Sequence, residues 1–471
     1  MERCRFAGTI VFANNVPGGT PAWANLTDRH PMKTVQQDIA RVEAFTDPKL
    51  RRARQLVQAN VLDPRNAKGT QHSFDHNILA LLCGLLSGRK ALRGVEALAK
   101  ELGLGRRGKG ISDGAMTHVL ALMGENDLDP VLAQSVRDMG RRGQLRPVGV
   151  AQHWATVDGK YMTLQHDCGG LAQKIVDKHG VHWRLGVLRA VLISAAGKPA
   201  LGQHVMPPVE SDEKDPEKRK HTGETTNLPA FIATLRKAYG DLVSNFTLDA
   251  GLWSKPLFLA MDQAGLGVFA GLKKNKPDLH AEVKRVLGQR RKKRSPDAQT
   301  PWESCPDGKI RRRMWRTTEL DGWNGWTHLR QVLLVEQTTK DRDDKEMVEL
   351  RYFVTNVTTG YLSARQALAL VRLHWGIEND CNWTFDMQFG EDAGAWCTQN
   401  KATLVLGVLR MIAYNILQWL RKVHVQVERE RVANTARPWR ELFELTYRYL
   451  VAAGRALLPR LEPAPRTAAV T

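Results

Sequence analysis

Leu242-Val-Ser-Asn-Phe-Thr-Leu248 is a short apolar run that ends against Asp249, and the fold is read outward from it. Ser254 to Ala264 follows with helical spacing, and a second apolar run, Gly267-Val-Phe-Ala-Gly-Leu272, closes the unit. Upstream, about Thr226 to Tyr239 reads as another helix, reached through the highly charged loop Ser211 to His221. Short apolar strands alternating with helices predict a parallel crossover sheet and an α/β fold.

Ahead of this unit the texture is a meander. Val148 to Val157, Trp183 to Ser194 and Pro199 to Val205 read as strands, punctuated by Asp158-Gly159 and Gly197-Lys198-Pro199. Beyond it, Ile310 to Glu319, His328 to Gln337 and Met347 to Asn356 alternate polar and apolar residues, as antiparallel strands with one wet face do. Two long helices are expected over about Ser363 to Phe385 and Lys401 to Val423. The N-terminal part is helical, with apolar periodicity over Met32 to Leu62 and Phe74 to Leu102. Gly103 to Gly110 ends the second run, and Ser112 stands as an N-cap before Ala115 to Met123. That order suits a helix-turn-helix-like DNA reader or a plain helical bundle. The implied units are a flexible arm (1–30), a helical domain (31–145), a core (146–280 and 358–425) interrupted by a β-rich insertion (281–357), and a basic helical tail (426–471).

Among 471 residues, 69 Lys or Arg face 49 Asp or Glu, a net charge of +20, so a polyanionic partner is expected. Fifteen of those cations and five acids lie between Lys273 and Arg316, so half of the excess is local. Gln289-Arg-Arg-Lys-Lys-Arg294 is expected as an exposed turn or loop, and Lys309-Ile-Arg-Arg-Arg-Met-Trp-Arg316 as a strand with a basic face that binds phosphates. No uninterrupted apolar run reaches the roughly 18 residues that cross a bilayer. Ile78 to Leu86, nine residues long, reads as a core helix. The first twenty residues carry no continuous apolar stretch of the kind a secretory signal needs, so a cytoplasmic location and reduced cysteines are expected. Cys4, Cys83, Cys168, Cys305, Cys381 and Cys397 form no C-x-x-C pair, which excludes a zinc knuckle of that spacing.

Three acids stand where chemistry is commonly placed. Asp158 and Asp249 each follow an apolar strand, at the sheet end where open α/β folds bind ligands. Glu378 lies in Leu373-His-Trp-Gly-Ile-Glu-Asn-Asp-Cys-Asn-Trp-Thr-Phe-Asp386, where His374, Glu378 and Asn382 form an i, i+4, i+8 stripe on a helix. Phosphodiester chemistry joins the three, because hard divalent cations prefer carboxylate oxygens. Two such ions about 3.5 to 4 Å apart activate the attacking oxygen and stabilise the leaving one.

With these motifs on view, the chain resembles the DDE transposases of bacterial insertion sequences, in the cut-and-paste group with a β-rich insertion between the second Asp and the Glu. The resemblance covers about residues 32 to 425. It rests on Val157-Asp-Gly-Lys160, Thr222-Gly-Glu-Thr-Thr-Asn-Leu-Pro229, Thr247-Leu-Asp-Ala250, Gly271-Leu-Lys-Lys-Asn-Lys-Pro277, and above all His374-Trp-Gly-Ile-Glu-Asn379 with Phe389-Gly-Glu-Asp392. It implies an RNase H-like mixed sheet flanked by helices, with a helical N-terminal domain and a β-rich insertion. It also implies Asp158, Asp249 and Glu378 as a triad holding two Mg²⁺ ions, for which Mn²⁺ would substitute. The expected reaction is cleavage at terminal inverted repeats and strand transfer into target DNA, by a homodimer or larger assembly at the nucleoid. The alternatives are a catalytically inactive DNA-binding protein of the same fold and a nuclease without joining activity.

Lys160, Lys273, Lys274, Asn275, Lys276, Arg291, Lys292, Lys293, Arg311, Arg313 and His374 are the expected DNA contacts. The related signature Tyr-x-x-Arg-x-x-x-Glu-x-x-x-x-x-x-Lys is replaced here by Val371, His374, Glu378 and Phe385, and an expected Asn-x-x-His by Asn379-Asp-Cys-Asn382. Glu391 and Asp392 read as rival metal carboxylates, as caps for the next helix or as turn residues. Trp302, Trp315, Trp323 and Trp326 read as packing residues or as platforms for unpaired bases.

Overall fold

The computed structural model describes residues 32–462 apart from 67, 69, 179, 209–222, 306, 307, 393–395 and 429–438. The N-terminal arm, the charged loop Ser211 to His221, Cys4 and the end of the tail beyond 462 lie outside the described residues. The described chain opens with α1 (Met32–Asn60), α2 (Phe74–Leu86), α3 (Leu92–Glu101), α4 (Asp113–Leu122) and α5 (Asp129–Arg141). The single helix expected over Phe74 to Leu102 is therefore two. Ser87 closes α2 by donating from its hydroxyl to the Cys83 carbonyl at 2.8 Å, and Gly88 turns the chain at φ +72°, where a side chain would be strained. Nearly every residue of α2 is buried, so it is a core helix and cannot enter a groove. Ser112 caps α4 as expected, accepting from the Ala115 N–H at 3.2 Å.

Next come β1 (Ala155–Leu164), β2 (Gln173–Asp177), β3 (Gly180–Val191) and β4 (Ala200–Met206), an antiparallel meander in which β2 had no sequence signal. Then α6 (Glu224–Tyr239), β5 (Asn245–Leu248), α7 (Lys255–Gln263) and β6 (Gly267–Leu272) follow, with β1, β5 and β6 mutually parallel as the crossover reading requires. All four residues of β5 are buried, which is why a short apolar run marks it. The first strand is displaced from its expected place. It starts at Ala155 and runs on to Leu164, because β3 pairs with it from Thr156 opposite Val191 to Leu164 opposite Trp183. Asp158 thus lies inside a strand rather than after one.

The segment expected to start with an exposed basic turn or loop instead begins with helix α8 (Pro277–Lys293). Leu279, Val283, Val286 and Leu287 are buried at helical spacing, and this stripe overrides the repulsion among Arg290, Arg291, Lys292 and Lys293 in the last turn. Two short strands, β7 (Ala298–Gln299) and β8 (Glu303–Cys305), lead to β9 (Gly308–Thr317), β10 (Gln331–Lys340) and β11 (Glu346–Thr355). These last three are antiparallel as read from the alternation. They continue the core sheet, since β11 pairs with β6 from Tyr352 opposite Leu272 to Thr355 opposite Phe269. The result is one mixed sheet of order β2-β3-β1-β5-β6-β11-β10-β9-β7, with β4 on β3 and β8 on β9.

The long helix expected over Ser363 to Phe385 is α9 (Ala364–His374), a π-helical turn (Ile377–Asn382) and α10 (Trp383–Met387). Ser363 and Gln366 form a capping box at its start. Helices α11 (Ala402–Glu428), α12 (Trp439–Ala453) and α13 (Leu457–Arg460) complete the described chain. Although no uninterrupted apolar run spans a bilayer, Ala402–Arg421 of α11 is long and apolar enough by average composition. It is 94% buried, and it packs on α2, α4, α5 and β4 as the axis of the helical part. One apolar core runs from Val42 to Leu461, so the N-terminal and C-terminal helices share it. Cys83, Cys168, Cys381 and Cys397 are buried and Cys305 half-buried, all as free thiols. Trp315 and Trp326 are buried as packing residues.

Glu336, on β10, is wholly buried, and Arg291 of α8 and Arg313 of β9 close on it, with Nε-to-oxygen distances of 2.6 and 2.8 Å. Removing both arginines leaves a carboxylate buried without a partner. Urea denaturation of the Arg291→Ala/Arg313→Ala double variant should show a loss of about 3 to 5 kcal/mol. Adding Glu336→Gln should recover most of it.

Candidate active site

Asp158, Asp249 and Glu378 line one cleft of ≈ 580 Å³. They reach it from β1, from the residue after β5, and from the π-helical turn. Pairing of Val157 with Leu248 is the last rung of the parallel ladder, so Asp158 and Asp249 occupy the next position on neighbouring strands. The π turn inserts an extra residue per turn between α9 and α10 and carries Glu378 to the same cleft; such turns recur at functional sites.

Burial, then the charges of Glu378, Glu224 and Asp249, push the Asp158 carboxyl up to about 7. Glu378 is also raised, by burial and then by Asp249. Asp249 is half exposed, with the Lys273 ammonium 3.8 Å away. Glu224, the first residue of α6, is a fourth carboxylate at this place, and its own proton affinity is raised chiefly by burial. Gly159 makes room for it, because a Cβ there would stand 2.1 Å from Glu224 Oε1. Among the described residues no three His, Cys, Asp or Glu side chains form a closed metal cluster. As donors, several carboxylates with unmet negative charge suit a hard divalent cation.

His374, expected as a DNA contact, bonds inward to the two strands. It is half-buried and lines the cleft, and desolvation lowers its pKa to about 4, so it is neutral near pH 7. Its Nδ1 lies 3.0 Å from Thr247 Oγ1 and 3.3 Å from Thr156 Oγ1, and the Thr156 hydroxyl donates to the Thr247 carbonyl at 3.1 Å. Thr156 precedes Asp158 by two residues, Thr247 precedes Asp249 by two, and His374 precedes Glu378 by four. One imidazole thus ties the three elements that carry the acids.

The expected cations divide. Lys160 is buried and bonded to Asp386, with Asp392 at 3.3 Å and Glu391 at 3.8 Å, so it turns inward rather than toward a ligand. Asn275 Nδ2 and Lys276 Nζ donate to the Ala250 carbonyl at 2.8 and 3.3 Å and hold the loop after Asp249. Arg291 and Arg313 serve Glu336. Lys273, Lys274, Lys292 and Lys293 are exposed, and the Arg311 guanidinium lies 4.7 Å from the Trp302 ring. Glu391 turns away from the three acids: it is buried against Arg189 at 2.9 Å.

Arg312, Arg351 and Arg372, from β9, β11 and α9, line the same cleft as the acids, and sequence reasoning missed them. Glu303 lies 3.4 Å from Arg312 and 2.8 Å from Arg372, while the Arg351 guanidinium sits 5.0 Å from the Trp375 ring. Burial and then Arg372 lower the proton affinity of Arg312, the mark of crowded cations. Strand alternation in Lys309 to Arg316 separates Arg312 from Arg311 and Arg313, a usable signal for the first; nothing local marks the other two.

The chain is 27% identical, over 108 residues, to YncI of Escherichia coli O157:H7, a protein whose name provisionally assigns it to the transposases. Those residues are 22% of this chain and 27% of that protein, so the match spans about a quarter of the relative's length. No protein-family model matches the chain. A distant transposase relationship is what this similarity establishes.

The unfolded chain's histidine binds a proton near 6.5 and folded His374 only near 4, so this group withdraws stability as pH falls between those values. The stability difference between wild type and His374→Asn should shrink by on the order of 3 kcal/mol from pH 7 to pH 4. Chemical denaturation at the two pH values reads it, and a constant difference contradicts a neutral His374.

Proposed function

We propose that this protein is a DDE-type DNA transposase with an RNase H-like core, and that Asp158, Asp249 and Glu378 hold its divalent cations. The observation that carries the reading is the convergence of three carboxylates from β1, the β5 end and the π turn in a cleft that Lys273, Arg312, Arg351 and Arg372 also line. The order of the β4-β3-β1-β5-β6 half of the sheet, with β1, β5 and β6 parallel, supports it. So does the distant similarity to YncI. Bound Mg²⁺ or Mn²⁺ supplies Lewis-acid activation of water and charge neutralisation at phosphorus.

The chain's own residues account for the rest. Lys273, Arg312, Arg351 and Arg372 take the phosphates of the strand to be cut and set its register in the cleft. His374 holds the two strands and the π turn at fixed separation, so the carboxylates present a preorganised site. Exposed Lys274, Lys292 and Lys293 extend the positive surface along the flanking duplex. Attack by the freed 3′-hydroxyl at a target phosphate would use the same cleft, and joining two element ends requires at least two copies of the chain.

Labelled DNA carrying the element's own end, incubated with Mg²⁺ or Mn²⁺, tests the chemistry. Asp158→Asn, Asp249→Asn and Glu378→Gln should each cut more than about 100-fold more slowly, beyond the usual cost of removing an outer-shell group, while retaining DNA. Wild type should also join a marked 3′ end to a second duplex; cutting without joining identifies a nuclease, and binding without cutting a DNA-binding protein only.

The cationic lining has a separate signature. Arg312→Ala and Arg372→Ala should weaken metal-free DNA binding and lower the slope of log K against log salt by about 0.9 for each phosphate no longer neutralised. Fluorescence anisotropy from 50 to 200 mM salt reads the slope, and unchanged slopes place the strand elsewhere.

A further inference from the structure

Arg189 lies on β3 directly opposite Asp158 of β1, and it is fully buried. Cross-strand partners share a face, so an ion pair between the two is the expected outcome. The structure shows a different one. Arg189 NH1 donates to Asn382 Oδ1 at 3.0 Å, and NH2 donates to the two Glu391 oxygens at 2.9 and 3.2 Å. The Phe385 ring, 4.3 Å from the guanidinium, covers its face. Asn382 Nδ2 then donates to Asp158 Oδ2 at 3.2 Å.

The donor Arg189 settles which way the Asn382 amide points. Its oxygen must face the guanidinium, which leaves only its NH₂ for Asp158. Glu391 is nearly sealed from solvent and also has Arg410 at 4.0 Å and Lys160 at 3.8 Å, so it is anchored by cations on several sides. A guanidinium paired directly with Asp158 would compete with any cation for that carboxylate, whereas a neutral amide orients the oxygen without cancelling its charge.

We infer that Asn382 is the positioning residue of Asp158, locked by Arg189, whose charge Glu391 absorbs so that Asp158 remains available to a divalent cation. This rests on the reading of Asp158 as a metal ligand. It also gives the buried Glu391 a role that is neither catalytic nor capping. Histidine at 382 could reproduce the relay, since one ring nitrogen accepts from Arg189 while the other donates to Asp158.

Calorimetric titration of the full chain with Mn²⁺ alone tests the inference, with Asp158→Asn as reference. Asn382→Ala should bind Mn²⁺ about 10- to 100-fold more weakly, with unchanged circular dichroism and unchanged DNA retention in EDTA. Asn382→His should recover most of the affinity, which a general loss of packing would not allow. If the alanine variant does not fold, Asn382→Ser is read instead, because its side chain is too short to bridge both partners. Loss of Mn²⁺ binding in Asp158→Asn together with wild-type binding in folded Asn382→Ala or Asn382→Ser overturns the positioning role and leaves the metal site standing. Wild-type binding in Asp158→Asn overturns both.

Discussion

Three rungs of parallel backbone, Ala155 to Val157 against Phe246 to Leu248, are the constraint on which the rest depends. Side chains alternate along a strand, so this register puts Thr156 and Asp158 on one face of β1, and Thr247 and Asp249 on the matching face of β5. A slip of one residue would turn both acids away from the cleft together. The His374 imidazole, reaching both threonine hydroxyls, then ties the π turn to this pair of strands. The site is therefore a by-product of sheet register with a single helix docked on it.

Charge is segregated around that register. Deep in the protein, ionised groups are matched: Arg189 with Glu391, Lys160 with Asp386, Glu336 with Arg291 and Arg313. Buried pairs of this kind contribute little net stability against well-packed apolar residues, but they penalise every arrangement that separates them. In the cleft the opposite holds. Burial and then Glu378, Glu224 and Asp249 raise the proton affinity of Asp158, while Arg312, Arg351 and Arg372 line the same cleft. A ligand that brings cations to the acids and phosphates to the arginines satisfies both halves.

Much of this was legible in the chain, for definable reasons. Short apolar runs at Leu242 to Leu248 and Gly267 to Leu272 announced buried parallel strands, and the alternation of Ile310 to Asn356 announced antiparallel ones. Asp158 and Asp249 were singled out because each follows an apolar run in the sequence, and Glu378 because it shares a polar stripe with His374 and Asn382. What escaped depends on partners far away in sequence. Gln289 to Arg294 looked like a turn or loop because local repulsion was weighed without the apolar stripe of α8. Lys160 and Arg291 looked free because Asp386 and Glu336 are 226 and 45 residues away. Nothing in the i, i+4 spacing of His374 and Glu378 reveals the π turn, since that insertion reflects how the helix must bend to bring Glu378 toward strands already fixed by pairing.

The most direct test of the account is anomalous diffraction from crystals of the full chain soaked in Mn²⁺. The account predicts anomalous density in the cleft, at about 2.2 Å from carboxylate oxygens of Asp158, Asp249 and Glu378. Strong density elsewhere with an empty cleft, or no ordered Mn²⁺ at all under saturating soaks, would contradict it.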